Sequence, residues 1–530
     1  MTLYKRLPVA LITALTLSTL GCGGGGGNDD VVARAQGSGQ ATTTVGTTNP
    51  GTVTVPITQS KTFTFPTFSV NSRLAVVGNF QTSTETPNET GTLTTVLSDL
   101  GAIPRVAARV DPSAQESGSF ENPCGFPDAC AIDRLIGEPR AQQSTSSTAI
   151  RPRFQELAEG AEEDFFLVPA FKSVTGRKIL QPNETVHCTI FAEVVGGNPV
   201  IDRSKALEIA QAFDSNNPQR PGSGIYDQAR AVFGSEWNQN PTGGNDGDTK
   251  VVIFFFSSQT LGNGLFGYVS PADGNPNGGS SSNKGEILYI NADKSTYQTL
   301  ATISHEFQHL INQNQKINQQ GLNPANAKDE NVSVNEGLSG LSEEVCGYTL
   351  NSGNNLLLAV LNDYLEKPEQ HEFFNFSRAG LGYGQGYLFF KYVREHFGDQ
   401  TIRNICTDTG SGLANLNKHL PNGFPEIFRR WTIANYATNL SGNVPSIYKY
   451  PSGFRTDGTY PAGTLVGVKV NTMGNNATNP TNALRPWSCN YQILESEPGV
   501  GVQATVNPAS GSPYGVIFES SKGQFTSLEQ

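Results

Sequence analysis

Residues 300–311 set the narrowest limits on how this chain can fold. Leu300, Ile303, Phe307, Leu310 and Ile311 recur at i, i+3, i+7, i+10 and i+11, one apolar stripe at helical period. At about 100° per residue, His305 and His309 fall about 140–200° from the centre of that stripe. Residues four apart stand one above the other on a helix, so these two imidazoles can hold one metal ion. Glu306, between them in His305-Glu306-Phe307-Gln308-His309, is in reach of a water at that ion. The spacing therefore predicts a helix buried on one face that presents two histidines and a carboxylate to a cleft. Histidines that merely filled a core would lie on the apolar stripe.

A catalytic zinc takes three protein ligands and keeps a fourth position open. The third candidate lies in Asn335-Glu336-Gly337-Leu338-Ser339-Gly340-Leu341-Ser342-Glu343-Glu344. Leu338, Leu341 and Val345 give this second predicted helix its own apolar stripe. Glu336 falls about 160° from Leu338, and Glu343 returns to the same face as Glu336 seven residues on.

His-Glu-x-x-His followed by Asn-Glu-Gly-Leu-Ser resembles the gluzincin metallopeptidases, and with the strand-helix pattern before His305 looks closest to the hyicolysin-type bacterial peptidases. The resemblance covers about 200–440. It implies an α+β zincin-like metallopeptidase domain, a Zn²⁺ cofactor held by His305, His309 and Glu336, and Glu306 as general base. Tyr383-Gly384-Gln385-Gly386, before an apolar helix over 387–398, resembles the aminopeptidase helix start whose tyrosine stabilises the oxyanion; that role passes to Tyr383, with Tyr387 as the alternative donor. Two departures matter. No Gly-Ala-Met-Glu-Asn stretch precedes His305, which favours cleavage inside chains over removal of N-terminal residues. Gly340 stands where thermolysin-like enzymes carry an aspartate that orients a zinc-binding imidazole. Asn335, Glu343 and Glu344 are the residues expected to support the ligands from behind, Glu343 or Glu344 replacing the missing aspartate.

The N-terminus points to export. Lys5 and Arg6 precede a largely apolar run from Leu7 to Leu20, too short for a membrane span and suited to a secretory signal. Thr19-Leu20-Gly21-Cys22 resembles a bacterial lipoprotein cleavage site. That resemblance implies a signal peptide over 1–21, lipid attachment at Cys22, and a chain held by this anchor at the cell envelope, at the outer membrane or cell surface. Gly23 does not match an inner-membrane retention signal. Removing Cys22 leaves six cysteines, and in an exported chain these read as up to three disulfides, Cys124 and Cys130 being close enough to close a local loop.

Around the candidate site the chain reads as β-rich. A Gly/Thr-rich tether over 22–60 leads into short β-branched and aromatic runs separated by turns over 61–195, a sandwich-like pattern. The expected metallopeptidase domain spans 196–440, and 441–530 returns to short strands. The fold class expected is thus multidomain, an α+β zincin-like domain flanked by β-rich domains. Lys+Arg 36 against Asp+Glu 47 gives a net charge of −11, which excludes a general nucleic-acid binder. Gly244-Asn-Asp-Gly-Asp248 lacks the full spacing of an EF-hand loop and reads as a turn rather than a Ca²⁺ site. His187 in a strand run reads as structural, and His371, His396 and His419 as surface residues. These observations predict an exported zinc endopeptidase acting on protein or peptide substrates, with its oligomeric state open. The rival reading is a surface adhesion or binding lipoprotein with a structural or inactive zinc site, which would need neither Glu306 nor Tyr383.

Overall fold

In the computed structural model the described residues are 41–44, 53–55, 61–65, 73–85, 94–99, 154–237, 244, 246–274, 282–318, 329–376, 382–473, 478–479, 484–495, 502–507, 514–521 and 524–526. They belong to the compact unit Gly39–Gln530. Cys22, the signal peptide, Cys124 and Cys130 lie outside them.

Near the N-terminus, β1 (Lys61–Phe65), β2 (Arg73–Asn79) and β3 (Thr94–Asp99) precede a hairpin of β4 (Glu162–Leu167) and β5 (Lys172–Lys178). Next come β6 (Cys188–Val195), helices α1 (Arg203–Asp214) and α2 (Ile225–Phe233), and strands β7 (Val251–Phe256), β8 (Gly267–Val269) and β9 (Ile287–Asn291). These strands form one mixed sheet in the order β8-β9-β7-β6-β5-β4. The three middle strands are parallel, while β8 at one edge and the β4–β5 hairpin at the other are antiparallel.

All six residues of β7, Val-Val-Ile-Phe-Phe-Phe, are buried, because both faces of the sheet are covered. Strand period two then sorts them. Val251, Ile253 and Phe255 join the core on the helical side, whereas Val252, Phe254 and Phe256 join Phe154, Phe165, Phe191 and Tyr289 on the other. The edge of β4 is capped by a side chain. Asn283 accepts from the Phe166 N–H at 2.7 Å and donates to the Phe166 carbonyl at 2.9 Å, satisfying backbone groups that an edge strand otherwise exposes.

Helices occupy most of 296–437: α3 (Thr296–Gln313), α4 (Val332–Val345), α5 (Asn355–Glu366), α6 (Tyr383–Thr407) and, after a short helix, α7 (Gly423–Ala437). The helical geometry of α6 breaks at Gly398, where the sequence pattern places the end of its apolar run. No helix among the described residues is long and apolar enough to cross a membrane.

The last strands, β10 (Cys489–Glu495), β11 (Val502–Asn507) and β12 (Tyr514–Ser521), pair with the first ones. β2 lies between β10 and β12, and β11 lies between β1 and β3. The strands therefore pair across the boundaries expected at 195 and 441. Residues 162–195 belong to the sheet beneath the helices, and the two terminal β segments share their sheets. Alternating apolar residues announce a strand but not its partner, and here the partners are about 400 residues apart. The shared sheet is tied to α7: Asn79 Nδ2 donates to Thr432 Oγ1 at 3.0 Å and Tyr491 OH to the Thr432 carbonyl at 2.8 Å.

Cys188, Cys346, Cys406 and Cys489 are free and buried, so of the up to three disulfides expected at most one remains, between Cys124 and Cys130, which lie outside the described residues. Each of the four fills space in the apolar core, a role that free cysteine shares with small hydrophobic residues.

Candidate metal centre

The site is built where α3 and α4 cross. Ser295 starts α3 with a capping box: its side chain accepts from the Gln298 N–H, and the Gln298 side chain accepts from the Ser295 N–H. All five residues of the predicted stripe are buried, with Phe307 packed against Phe213 and Tyr226. The opposite face is not left open as the stripe implied. α4 covers it, so Ser304, His305 and Gln308 are buried as well. Asn331 caps α4, its side chain accepting from the Ser333 N–H at 3.0 Å, and Val334, Leu338, Leu341 and Val345 are buried.

This crossing brings the three predicted ligands together. His305 Nε2 lies 3.2 Å and His309 Nε2 3.5 Å from the same atom, Glu336 Oε2. One ligand atom from each residue fits within 4.8 Å of the others. A tetrahedral zinc with bonds of about 2.0–2.2 Å sets its ligand atoms about 3.3–3.6 Å apart, so the donor set and its spacing fit that ion. The other nitrogen of each ring is engaged from behind, which leaves Nε2 facing inward. His305 Nδ1 donates to Glu343 Oε1 at 2.9 Å, and Asn354 Nδ2 donates to Glu343 Oε2 at 2.8 Å. His309 Nδ1 lies 3.1 Å from Ser339 Oγ.

Burial works against a charge on Glu336, but His309 and His305 outweigh it and hold the carboxyl well below the usual carboxylate range. Burial also opposes charge on His305, yet its bonds to Glu336 and Glu343 push it well above the ordinary histidine value. The same balance, with Glu336 the main partner, raises His309. A buried glutamate facing two imidazoles is thus a charged ligand set without any ion.

Glu306 is buried beside the ligands. Burial raises its pKa, the two histidine charges pulling the other way. Space for it comes from Gly267 on β8. A Cβ at that position would lie 2.6 Å from Thr302 Cγ2 and 3.0 Å from both Glu306 Cγ and the Tyr289 carbonyl, so the strand approaches the helix this closely only as glycine.

Tyr383 is the first residue of α6, buried, with its ring centroid 6.3 Å from that of His305 and an edge contact to Phe376 at 4.9 Å. Tyr387, the alternative donor, faces elsewhere: its hydroxyl donates to the Glu344 carboxylate. Of the three supporting residues expected, only Glu343 reaches a histidine. Glu344 lies 2.9 Å from Lys391 Nζ and 3.7 Å from Arg394 Nη1, a buried ion pair that joins α4 to α6. Asn335 accepts from Asn312 Nδ2 at 2.7 Å and joins α4 to α3. Neighbours in sequence point about 100° apart on a helix, so Glu343 and Glu344 cannot serve the same group. Gly340 packs beside α6, where a Cβ would sit 3.4 Å from that of Tyr387, an ordinary contact that does not by itself require glycine.

Glu343→Gln is expected to weaken zinc binding by about 10–100-fold. Glu344→Gln is expected to leave zinc binding within a few-fold and to cost about 1–3 kcal/mol, since it removes one of the two carboxylates that hold buried Lys391, the other being Glu395 at 2.8 Å. Chelator competition and urea midpoints check both; equal losses of zinc affinity in the two variants would refute the assignment.

Elsewhere, Asp248 spends its carboxylate on the backbone N–H groups of Gln155 and Lys250, as a turn requires. His187 stacks on Tyr226 at 3.9 Å, a packing role. His371 is not a surface residue; it is buried against Tyr364, and burial lowers its pKa to about 3. His396 engages the Lys449 carbonyl and His419 pairs with Asp408. Ser339, Gln308 and Asn354 had no signal beyond helical spacing: Ser339 lies one turn after Glu336, but nothing in the sequence marks Gln308 or Asn354.

Neither models of known protein families nor curated proteins match this chain.

Proposed function

We propose that this chain is an exported zinc-dependent endopeptidase that hydrolyses peptide bonds within proteins, on a zincin-like arrangement of the gluzincin kind. The observation that carries the reading is the meeting of His305 Nε2, His309 Nε2 and Glu336 Oε2 beside a buried Glu306. His305, His309 and Glu336 hold the zinc. When bound, Zn²⁺ supplies Lewis acidity toward the scissile carbonyl and lowers the pKa of water.

The protein's own groups carry the protons. Glu306 takes one proton from the attacking water and delivers it to the leaving amine as the C–O bond forms and the C–N bond breaks. A carboxyl with a raised pKa suits that task, because it takes a proton from water more readily than an ordinary carboxylate and holds it until the amine departs. Tyr383 donates a hydrogen bond to the carbonyl oxygen as negative charge develops there. The lack of an amine-binding Gly-Ala-Met-Glu-Asn stretch before His305 supports cleavage inside chains. Lipid attachment at Cys22 places the enzyme at the cell envelope.

One experiment on the full chain tests these points together. The protein is labelled with a fatty-acid analogue, recovered with membranes and assayed on casein with and without chelator. The label is expected to disappear in Cys22→Ala, and casein cleavage to vanish on chelation and return with zinc. Cleavage indifferent to chelator would overturn the enzymatic reading, and a label retained in Cys22→Ala would overturn the anchor.

A further inference from the structure

The two histidines are supported by chemically different groups. A carboxylate, Glu343, stands behind His305, whereas the group behind His309 is the neutral hydroxyl of Ser339. Ser339 Oγ is also 2.5 Å from Gln308 Oε1, and both residues are fully buried. Ser339 Oγ therefore meets Gln308 Oε1 and His309 Nδ1 rather than solvent.

The direction of this chain follows from proton counting. An amide oxygen can only accept, and a serine hydroxyl has one proton, so that proton goes to Gln308 Oε1. The serine oxygen is then left to accept, and the partner that must donate to it is His309 Nδ1–H. With zinc bound, His309 would be neutral and carry one ring proton; with it on Nδ1, the lone pair is on Nε2, the atom facing Glu336. A reversed chain, in which serine donates to Nδ1, would put the proton on Nε2 and block it as a ligand.

We infer that Gln308, acting through Ser339, sets the tautomer of His309 and so makes Nε2 a metal ligand. Both are positioning residues, and the inference rests on the zinc-site reading above. Gln308 lies on α3 beside the ligand it governs, and Ser339 lies on α4 one turn after Glu336. The relay thus crosses the helix interface at the level of the metal centre. Correct seating of α4 on α3 delivers Glu336 and orients His309 in the same step.

The test uses the full chain carrying Ser339→Ala, Gln308→Met (similar length, no acceptor) or Gln308→Glu (acceptor retained). Zinc affinity is read by competition with a chromophoric chelator, and the His309 Nδ1 proton by NMR of the zinc-loaded protein with ¹⁵N-labelled histidine. Ser339→Ala and Gln308→Met are expected to bind zinc about 10–100-fold more weakly, with the Nδ1 proton lost to solvent exchange. Gln308→Glu is expected to bind at least as tightly as the parent and to keep that proton. The double variant Ser339→Ala/Gln308→Met is expected to be no weaker than Ser339→Ala alone, since glutamine acts only through serine. Parent-like affinity and a retained proton in Ser339→Ala, or Gln308→Glu as weak as Ser339→Ala, would overturn the relay while leaving the zinc site standing; these two comparisons decide even if Gln308→Met does not fold. A parent protein that takes up no zinc would overturn the site itself.

Discussion

Glu306→Gln is expected to give a folded protein that still binds zinc but cuts casein about 10²–10⁴-fold more slowly. Glutamine keeps the shape that sits beside Gly267, so the close approach of β8 to α3 survives. It cannot take a proton from water at neutral pH, so the step assigned to Glu306 is lost while the three ligands remain. Circular dichroism, metal analysis and the casein assay on one preparation check this. Undiminished cleavage by the folded, zinc-loaded variant would remove the enzymatic reading, and loss of zinc would show that Glu306 serves the metal instead.

The second large effect is expected at Gly337, next to the ligand Glu336. An alanine within a helix usually stabilises it by about 0.8–1 kcal/mol relative to glycine. Here the sign should reverse. A Cβ on Gly337 would lie 2.8 Å from the backbone carbonyl carbon of Gly386 and 2.9 Å from its Cα, and a Cβ on Gly386 would lie 2.9 Å from Gly337 Cα. Phe390 Cδ2 also lies 2.8 Å away, but moving that ring would not relieve the contacts with the Gly386 backbone, so α4 and α6 must separate. Such overpacking typically costs about 1–3 kcal/mol. Because α4 carries Glu336 and Ser339 and α6 begins at Tyr383, the shift also moves the proposed ligand and the proposed oxyanion donor. Gly337→Ala is therefore expected to lower both the urea midpoint and zinc affinity. A variant as stable as the parent, or more so, would show that the helices do not depend on this contact.

The residues that meet at the candidate site were legible because they obey a local rule. His305, His309 and the apolar stripe repeat at the period of one helix, and Glu336 and Glu343 repeat at the period of the next. Gly398 likewise ended an apolar run where the helix does break. What stayed hidden involved a choice between neighbours on different elements. Glu343 and Glu344 carry the same charge at adjacent positions, and only the placement of α6 sends one to His305 and the other to Lys391. Tyr383 and Tyr387 are separated in the same way, because Glu344 claims the hydroxyl of Tyr387. His371 looked like a surface residue since the segment around it has no period, and burial against Tyr364 is a contact with another element.

The strands show the same division on a larger scale. The run Val251–Phe256 reads as a strand, and so it is; that both of its faces are buried follows from the sheet and helices around it. Nothing in Arg73–Asn79 announces that its neighbours are Cys489–Glu495 and Tyr514–Ser521. By itself, then, the sequence determined which residues are candidates for ligands and base and where the helix stripes run, because periodicity is a property of neighbouring residues. The tertiary structure alone decided which glutamate supports which group, which tyrosine faces the histidines and which strands share a sheet. Those choices depend on how close two backbones approach, and at Gly337 and Gly386 that distance is set by the absence of a single carbon on each side.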